Sequence, residues 1–274
     1  MIYEKFNLND YYPFLKEYGA DAFVEAYIQE CPAEMYESYK KPAMVVCPGS
    51  GYELCTRREA EPVAIRLMAM DFNVFVITYS CDPVHYPVQL LEIAALYELI
   101  NKNSDKWNVD TEKIGIMGFS AGGHLAAHYS NCYGCDEIKA HFDNTYKPSV
   151  AVLCYPVISV DDNILNTPSF EKLLGHRPNA DDVEKFSAEN MVTKDTPPTF
   201  IWHTAEDKCV FVENSLRYAT ALSRNEVPFT LHVYPHGFHG LATGDVLTNN
   251  GLEPKLVYVG DWMDQLEKWI KITL

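Results

Sequence analysis

The 274-residue sequence predicts an α/β fold, a doubly wound and mostly parallel sheet with helices on both faces. Three observations predict it. Short apolar runs rich in branched residues alternate with segments of helical spacing; each run is bounded by polar or turn residues; and no repeat or low-complexity linker interrupts the alternation. The runs at 43–47, 73–79, 113–117, 149–155, 199–203 and 229–234 read as buried strands. Helical spacing occupies 59–70, 87–101, 121–131, 212–224 and 261–270. A chain of this length can bury one sizeable core, so a single domain over 1–274 is expected. The longest stretch without a strand, 158–198, carries weaker helical signals at 169–174 and 180–186 and is expected to form a small cap. Residues 1–41 are aromatic and acidic without clear periodicity, and no role is assigned to them.

Composition narrows the function classes. Hydrophobic residues make up 47% and charged residues 22%, the balance of a soluble globular protein. A net charge of -16 opposes extended contact with nucleic acid, whose binding draws on Lys and Arg to neutralise phosphates. No apolar run approaches the roughly 20 residues of a membrane-spanning helix, and the start lacks a basic segment followed by an apolar core. A cytoplasmic location without membrane contact is therefore expected. Association with copies of itself is compatible with the sequence.

The eight cysteines do not resemble a disulfide framework, and Cys47, Cys81, Cys154 and Cys209 lie in or beside apolar segments. Cys132 and Cys135 form a CxxC, but a redox pair belongs at a strand-to-helix junction and a zinc site needs a second pair. No phosphate loop, dinucleotide fingerprint or H-E-x-x-H motif occurs, so no cofactor and no metal are implied.

In a doubly wound sheet the ligand site lies beyond the carboxyl ends of the strands. There the run KIGIMGFSAGGHLAAHYS carries a strand directly into Gly118-Phe119-Ser120-Ala121-Gly122, and a helical pattern follows at once. This is a nucleophile elbow: the serine sits on a strained turn whose flanking positions must be small. A serine hydroxyl is a weak nucleophile at neutral pH, so it needs a histidine base oriented by a carboxylate, here in the chain order Ser, acid, His.

Glu206 and Asp207 follow the strand at 199–203; Asp207 is the choice, with Glu206 as a surface or supporting group and Asp161 or Asp162 in reserve. His236 and His239 follow the last strand, and His239, beside Gly240, is preferred over His236. His124, His203 and His232 read as structural or supporting. A histidine base must be neutral to accept the proton, so activity should fall in mild acid.

The oxyanion needs preorganised donors. Ala121 offers the N–H after the nucleophile, and the turn Gly49-Ser50-Gly51 offers the second, from Ser50 or Gly51. Tyr52 beside that turn and Phe119 beside the serine are the candidate substrate contacts. Arg57, Arg58, Glu59 and Glu61 form a charged cluster, read as a helix start with ion pairing ahead of substrate contact.

Taken in order, VVCPGSGYELCTRREAEPVA, VFVITYS, GFSAGGHLAA, HTAEDKCVFVENSL and GFHGL resemble the α/β-hydrolase group that includes acetylxylan esterases and related bacterial carbohydrate esterases, over about residues 43–241. The resemblance implies an α/β-hydrolase fold and deacylation of sugar esters, with Ser120, Asp207 and His239 catalytic and the 49–51 turn holding the oxyanion. The chain departs from that pattern at Ser50, where glycine is usual, and at Phe211, where proline is usual. The expected function is a serine esterase acting on a small-molecule ester, an acylated sugar, through an acyl-Ser120 intermediate. A small-amide hydrolase or formamidase would use the same triad, and a non-catalytic binding protein could keep the same fold.

Overall fold

In strand β3 (Lys41–Cys47) successive side chains go to opposite faces: Ala43, Val45 and Cys47 join one core, Met44 and Val46 the other. Strand β4 (Asn73–Thr78) repeats the division, with Phe75 and Ile77 on the first side and Val74 and Val76 on the second. A sheet buried on both faces must be covered on both. Helices α2 (Val88–Lys102), α3 (Ala121–Cys132) and α7 (Glu213–Arg224) pack on the first core, while α1 (Glu61–Ala69) and α8 (Trp262–Thr273) pack on the second.

The structure, a computed structural model, describes all residues except 31–33, 35–38, 162, 250 and 252. Among the described residues one sheet of eight strands is ordered β1-β2-β4-β3-β5-β6-β7-β8. The remaining strands are β1 (Ile2–Asn7), β2 (Phe23–Ile28), β5 (Val109–Phe119), β6 (Ala151–Cys154), β7 (Thr199–Thr204) and β8 (Phe229–Tyr234). From β4 to β8 all pairings are parallel, and the mostly parallel α/β sheet read from the sequence is the observed fold. A short α4 (Asp136–Lys139) follows α3. The 158–198 stretch carries α5 (Thr167–Leu174) and α6 (Ala180–Phe186), at the positions of the two weaker helical signals.

The first 41 residues hold what the sequence reading left unassigned. β1 and β2 pair antiparallel, and β2 pairs antiparallel with β4. Neither strand shows clean alternation. β1 is a half-exposed edge, while β2 is buried at five of six positions and includes Glu25. That buried carboxylate is matched by the Arg57 guanidinium and by Tyr3 Oη at 2.8 Å, partners distant in sequence.

Candidate active site

Ser120 stands between β5 and α3 with φ 52° and ψ -119°, a conformation costing on the order of 1–3 kcal/mol and maintained only where the surroundings impose it. Its N–H donates to Cys154 O at 3.0 Å, and its own carbonyl accepts the Val157 N–H at 3.0 Å. The flanking glycines are needed for close approach. A Cβ on Gly118 would lie 2.0 Å from Gly122 O, and one on Gly122 would lie 2.2 Å from Cys47 O. The turn thus seats the serine against β3 and β6 as well as on its own strand.

Ser120 Oγ lies 2.7 Å from His239 Nε2, and His239 Nδ1 lies 2.6 Å from Asp207 Oδ2. The carboxylate can only accept at that atom, so Nδ1 carries the proton and Nε2 is free to take the serine's. Asp207 Oδ1 accepts the N–H groups of Cys209 and Val210 at 2.9 Å each. On its other side His203 Nε2–H donates to Val210 O at 2.9 Å and lies 3.3 Å from Asp207 Oδ2, while His203 Nδ1 meets Ser215 Oγ at 2.8 Å. Burial pushes the Asp207 carboxyl up, but the hydrogen bonds from His203 and His239 outweigh it and hold the group well below the usual carboxylate range. The side chain is a buried, ionised acceptor with its geometry set from three directions.

The other acid and histidine candidates go elsewhere. His236 Nδ1 pairs with Glu206 Oε1 at 2.9 Å, away from Ser120. Asp161 pairs with Arg217 at 2.9 Å, and Asp162 lies outside the described residues. His232, in β8, packs on Phe200 of β7. His124 is buried: its Nε2 donates to Phe186 O at 2.9 Å and its Nδ1 accepts from Tyr52 Oη at 2.9 Å, and burial lowers its pKa to about 4, so the ring is a neutral strut.

At the turn expected to hold the oxyanion, Gly49 N–H is taken by Glu59 Oε2 at 2.7 Å, so that N–H is not available as a donor to a ligand. Among the described residues no backbone acceptor faces the N–H of Ser50 or Gly51. Ala121 is the first residue of α3, so its N–H has no partner within the helix. Ser50 itself has φ 123°, the positive value that its substitution for glycine makes costly.

Two expected substrate contacts are corrected. Tyr52 is 1% exposed and braces His124 from beneath the turn. Phe119 shares the parity of Met117 along β5 and so packs against Trp262 and Tyr155 in the second core, not in the cleft.

A cleft of about 450 Å³ opens over Ser120 and His239. Ser50, Glu53, Thr56 and Arg58 line it from the turn side, and Asn166, Ser169 and Lys172 line it from α5 and the residue before it. Lys172 pairs with Glu53 across the opening. These side chains end in oxygen or nitrogen, Pro168 and Cys209 complete the wall, and among the described residues no Phe, Tyr or Trp contributes to it.

The family model described as BD-FAE matches residues 32–222, most of the chain and all of the elbow. The chain belongs to the BD-FAE family. It is 37% identical over 218 residues to endo-1,4-beta-xylanase B of Butyrivibrio fibrisolvens, covering 76% of this chain and 34% of the relative. It is 26% identical over 229 residues to an acetylxylan esterase of Xylanibacter ruminicola, covering 82% of this chain and 45% of the relative. The chain thus spans between a third and a half of these curated relatives.

Solved structures agree in fold. An acetyl ester-xyloside bifunctional hydrolase from Caldicellulosiruptor lactoaceticus superposes with a TM-score of 0.79 at 36% identity, over 92% of this chain and 88% of its own. A carboxylesterase from Lactobacillus plantarum gives 0.86 at 27% identity, over 99% and 98%. By fold this BD-FAE chain stands among the α/β hydrolases, and the Xylanibacter ruminicola relative and the Lactobacillus plantarum structure are named as esterases.

Within the BD-FAE chain, several residues at the site were not singled out for it by sequence. Asn166, Ser169 and Lys172 come from a weak helical signal, and Tyr155 is visible only as the residue directly after β6. The charged cluster at 57–61 does not act as one unit: Arg57 pairs with Glu25, Arg58 donates to Gly240 O at 3.1 Å, and Glu59 turns inward.

Proposed function

We propose that this protein is a serine esterase that removes acetyl or other short acyl groups from sugar esters through an acyl-Ser120 intermediate. The observation that carries the reading is the continuous chain Ser120–His239–Asp207 opening into a polar cleft. In the first step Ser120 Oγ attacks the ester carbonyl while its proton passes to His239 Nε2. Charge then develops on the carbonyl oxygen, toward the N–H of Ala121 and those of Ser50 or Gly51. The sugar alcohol leaves with the proton from His239. A water molecule then attacks the acyl group, giving its proton to the same nitrogen, and the acid departs as Ser120 recovers its own. Asp207 stays ionised throughout and opposes the imidazolium charge.

The walls support the proposed substrate class. Hydroxyl, amide, carboxylate and ammonium groups around the opening suit the hydroxyls of a sugar better than a long acyl or aryl chain. Of the proteins described above, one is named an acetylxylan esterase and another an acetyl ester-xyloside bifunctional hydrolase, which is consistent with this assignment.

The test is a panel of acetylated xylose and xylo-oligosaccharides, aryl esters of increasing acyl length, and formyl amides, given to the purified protein. Acetate release from the acetylated sugars should exceed, in kcat/KM, hydrolysis of the longer acyl esters and of the formyl amides. Faster turnover of the formyl amides, or no acetate release, would replace this reading.

A further inference from the structure

Ser120 chemistry needs the oxyanion turn and the His239 loop in one register, yet these follow β3 and β8, with β5, β6 and β7 between them in the sheet. No strand ladder joins them directly. Side chains of the 58–59 pair bridge the gap. Glu59, 3% exposed, accepts Gly49 N–H at Oε2 (2.7 Å) and Tyr155 Oη–H at Oε1 (2.6 Å). Tyr155 Oη in turn accepts Ala242 N–H at 3.0 Å, and the Tyr155 ring lies edge-on to the His239 imidazole with centroids 5.1 Å apart. Arg58, the preceding residue, adds the contact to Gly240 O.

We propose that Glu59 is a positioning residue that sets the oxyanion turn and the His239 loop together, through Gly49 on one side and through Tyr155 and Ala242 on the other. This rests on the esterase reading above. The turn's geometry explains the need. With its first N–H committed to Glu59, the turn can present only the next ones, at Ser50 and Gly51, to a developing oxyanion.

On the far side, Tyr155 at φ 38° and Ala242 at φ 51° hold left-handed conformations that non-glycine residues rarely adopt; the Ala242 N–H to Tyr155 Oη bond links them, beside Tyr155 N–H to Trp202 O at 2.8 Å and Trp262 Nε1–H to Ala242 O at 3.1 Å. Both Glu59 oxygens accept, which fits a carboxylate. Burial is the main influence on its pKa and raises it, so the charge depends on those two donors.

The test compares the intact chain with Glu59→Gln, Glu59→Ala and Tyr155→Phe. Two readouts are taken: steady-state hydrolysis of p-nitrophenyl acetate, and amide hydrogen exchange of residues 48–52 and 240–243. Glu59→Ala should lower kcat about 10²-fold with KM within about threefold, the scale of a displaced oxyanion donor, and should speed exchange in both segments. Glu59→Gln keeps an acceptor for Gly49, so it should lose about tenfold and leave residues 48–52 nearly as protected as in the parent. Tyr155→Phe should speed exchange at 240–243 alone.

A Glu59→Ala protein with parental kcat, with a loss confined to KM, or with unchanged exchange in either segment would overturn the proposal. Should Glu59→Ala fail to fold, Tyr155→Phe decides it, since unchanged exchange at 240–243 contradicts the chain. Exchange is read without turnover. A parent that hydrolyses no ester therefore sinks the esterase reading, while the exchange pattern still judges the role of Glu59.

Discussion

The loops after β7 and β8 build two acid–histidine pairs from neighbouring residues. Asp207 and His239 meet at 2.6 Å with side chains 0% and 19% exposed, whereas Glu206 and His236 meet at 2.9 Å with side chains 53% and 47% exposed. The distances are nearly the same, so distance does not distinguish them. Burial and donors do. Asp207 is held by two backbone N–H groups and two imidazoles, which keep it ionised out of water. The Glu206–His236 contact is solvated, and such pairs are worth about 0–1 kcal/mol.

The sharpest way to break this comparison is to remove one member of each pair. Asp207→Asn and His239→Ala should each lower kcat about 10⁴-fold, because the members act as a unit. Glu206→Gln and His236→Ala should stay within about threefold. Steady-state kinetics on folded variants, with matched circular dichroism, checks both halves, and a reversed order would undo the assignment.

Glu92 sharpens it from another side, as a buried carboxylate with fewer donors. Among the described residues it accepts from the N–H and Oγ of Ser80 alone, and burial wins, raising its pKa to about 7. The unfolded carboxyl titrates near 4.3. Between those values the folded state binds the extra proton, so the stability contributed is fully present below about pH 4.3 and is lost as pH rises through 7. Glu92→Gln should therefore gain on the parent by on the order of 3 kcal/mol between pH 4 and 8. Urea unfolding across that range measures the gain, and a gap independent of pH would contradict it.

A smaller effect is expected behind the buried pair. His203→Phe removes the N–H shared between Val210 O and Asp207 Oδ2 and should cost about 1–3 kcal/mol in urea unfolding, with turnover reduced about tenfold. Unchanged stability would mean that His203 does not support the acid. The smallest effect belongs to the exposed pair, where Glu206→Gln should change unfolding free energy by less than about 0.5 kcal/mol.

These cases also show what a sequence can carry. Ser120 stands directly after β5, and Asp207 and His239 lie in the loops that follow β7 and β8, strands whose branched, apolar runs are visible, so their convergence could be anticipated from chain order. β1 and β2 could not be, because one is a half-exposed edge and the other hides Glu25 under an arginine found only in the folded chain. Phe119 was misread as a substrate contact although the period-two parity with Met117 points it into the second core. Glu59 looked like part of a helix start because the partners that give it meaning, Tyr155 above all, lie far along the chain. Local pattern reports strands and the residues at their ends, while contacts between loops of different strands appear only in the fold.

The central claim, that Ser120 is the nucleophile of an acyl-transfer enzyme, is tested most directly by treating the protein with a fluorophosphonate and mapping the adduct by peptide mass spectrometry. The adduct is predicted on Ser120 in the parent, with activity lost in proportion to labelling, and on no residue in Ser120→Ala. Active protein that remains unlabelled, or an adduct on another residue, would contradict the claim.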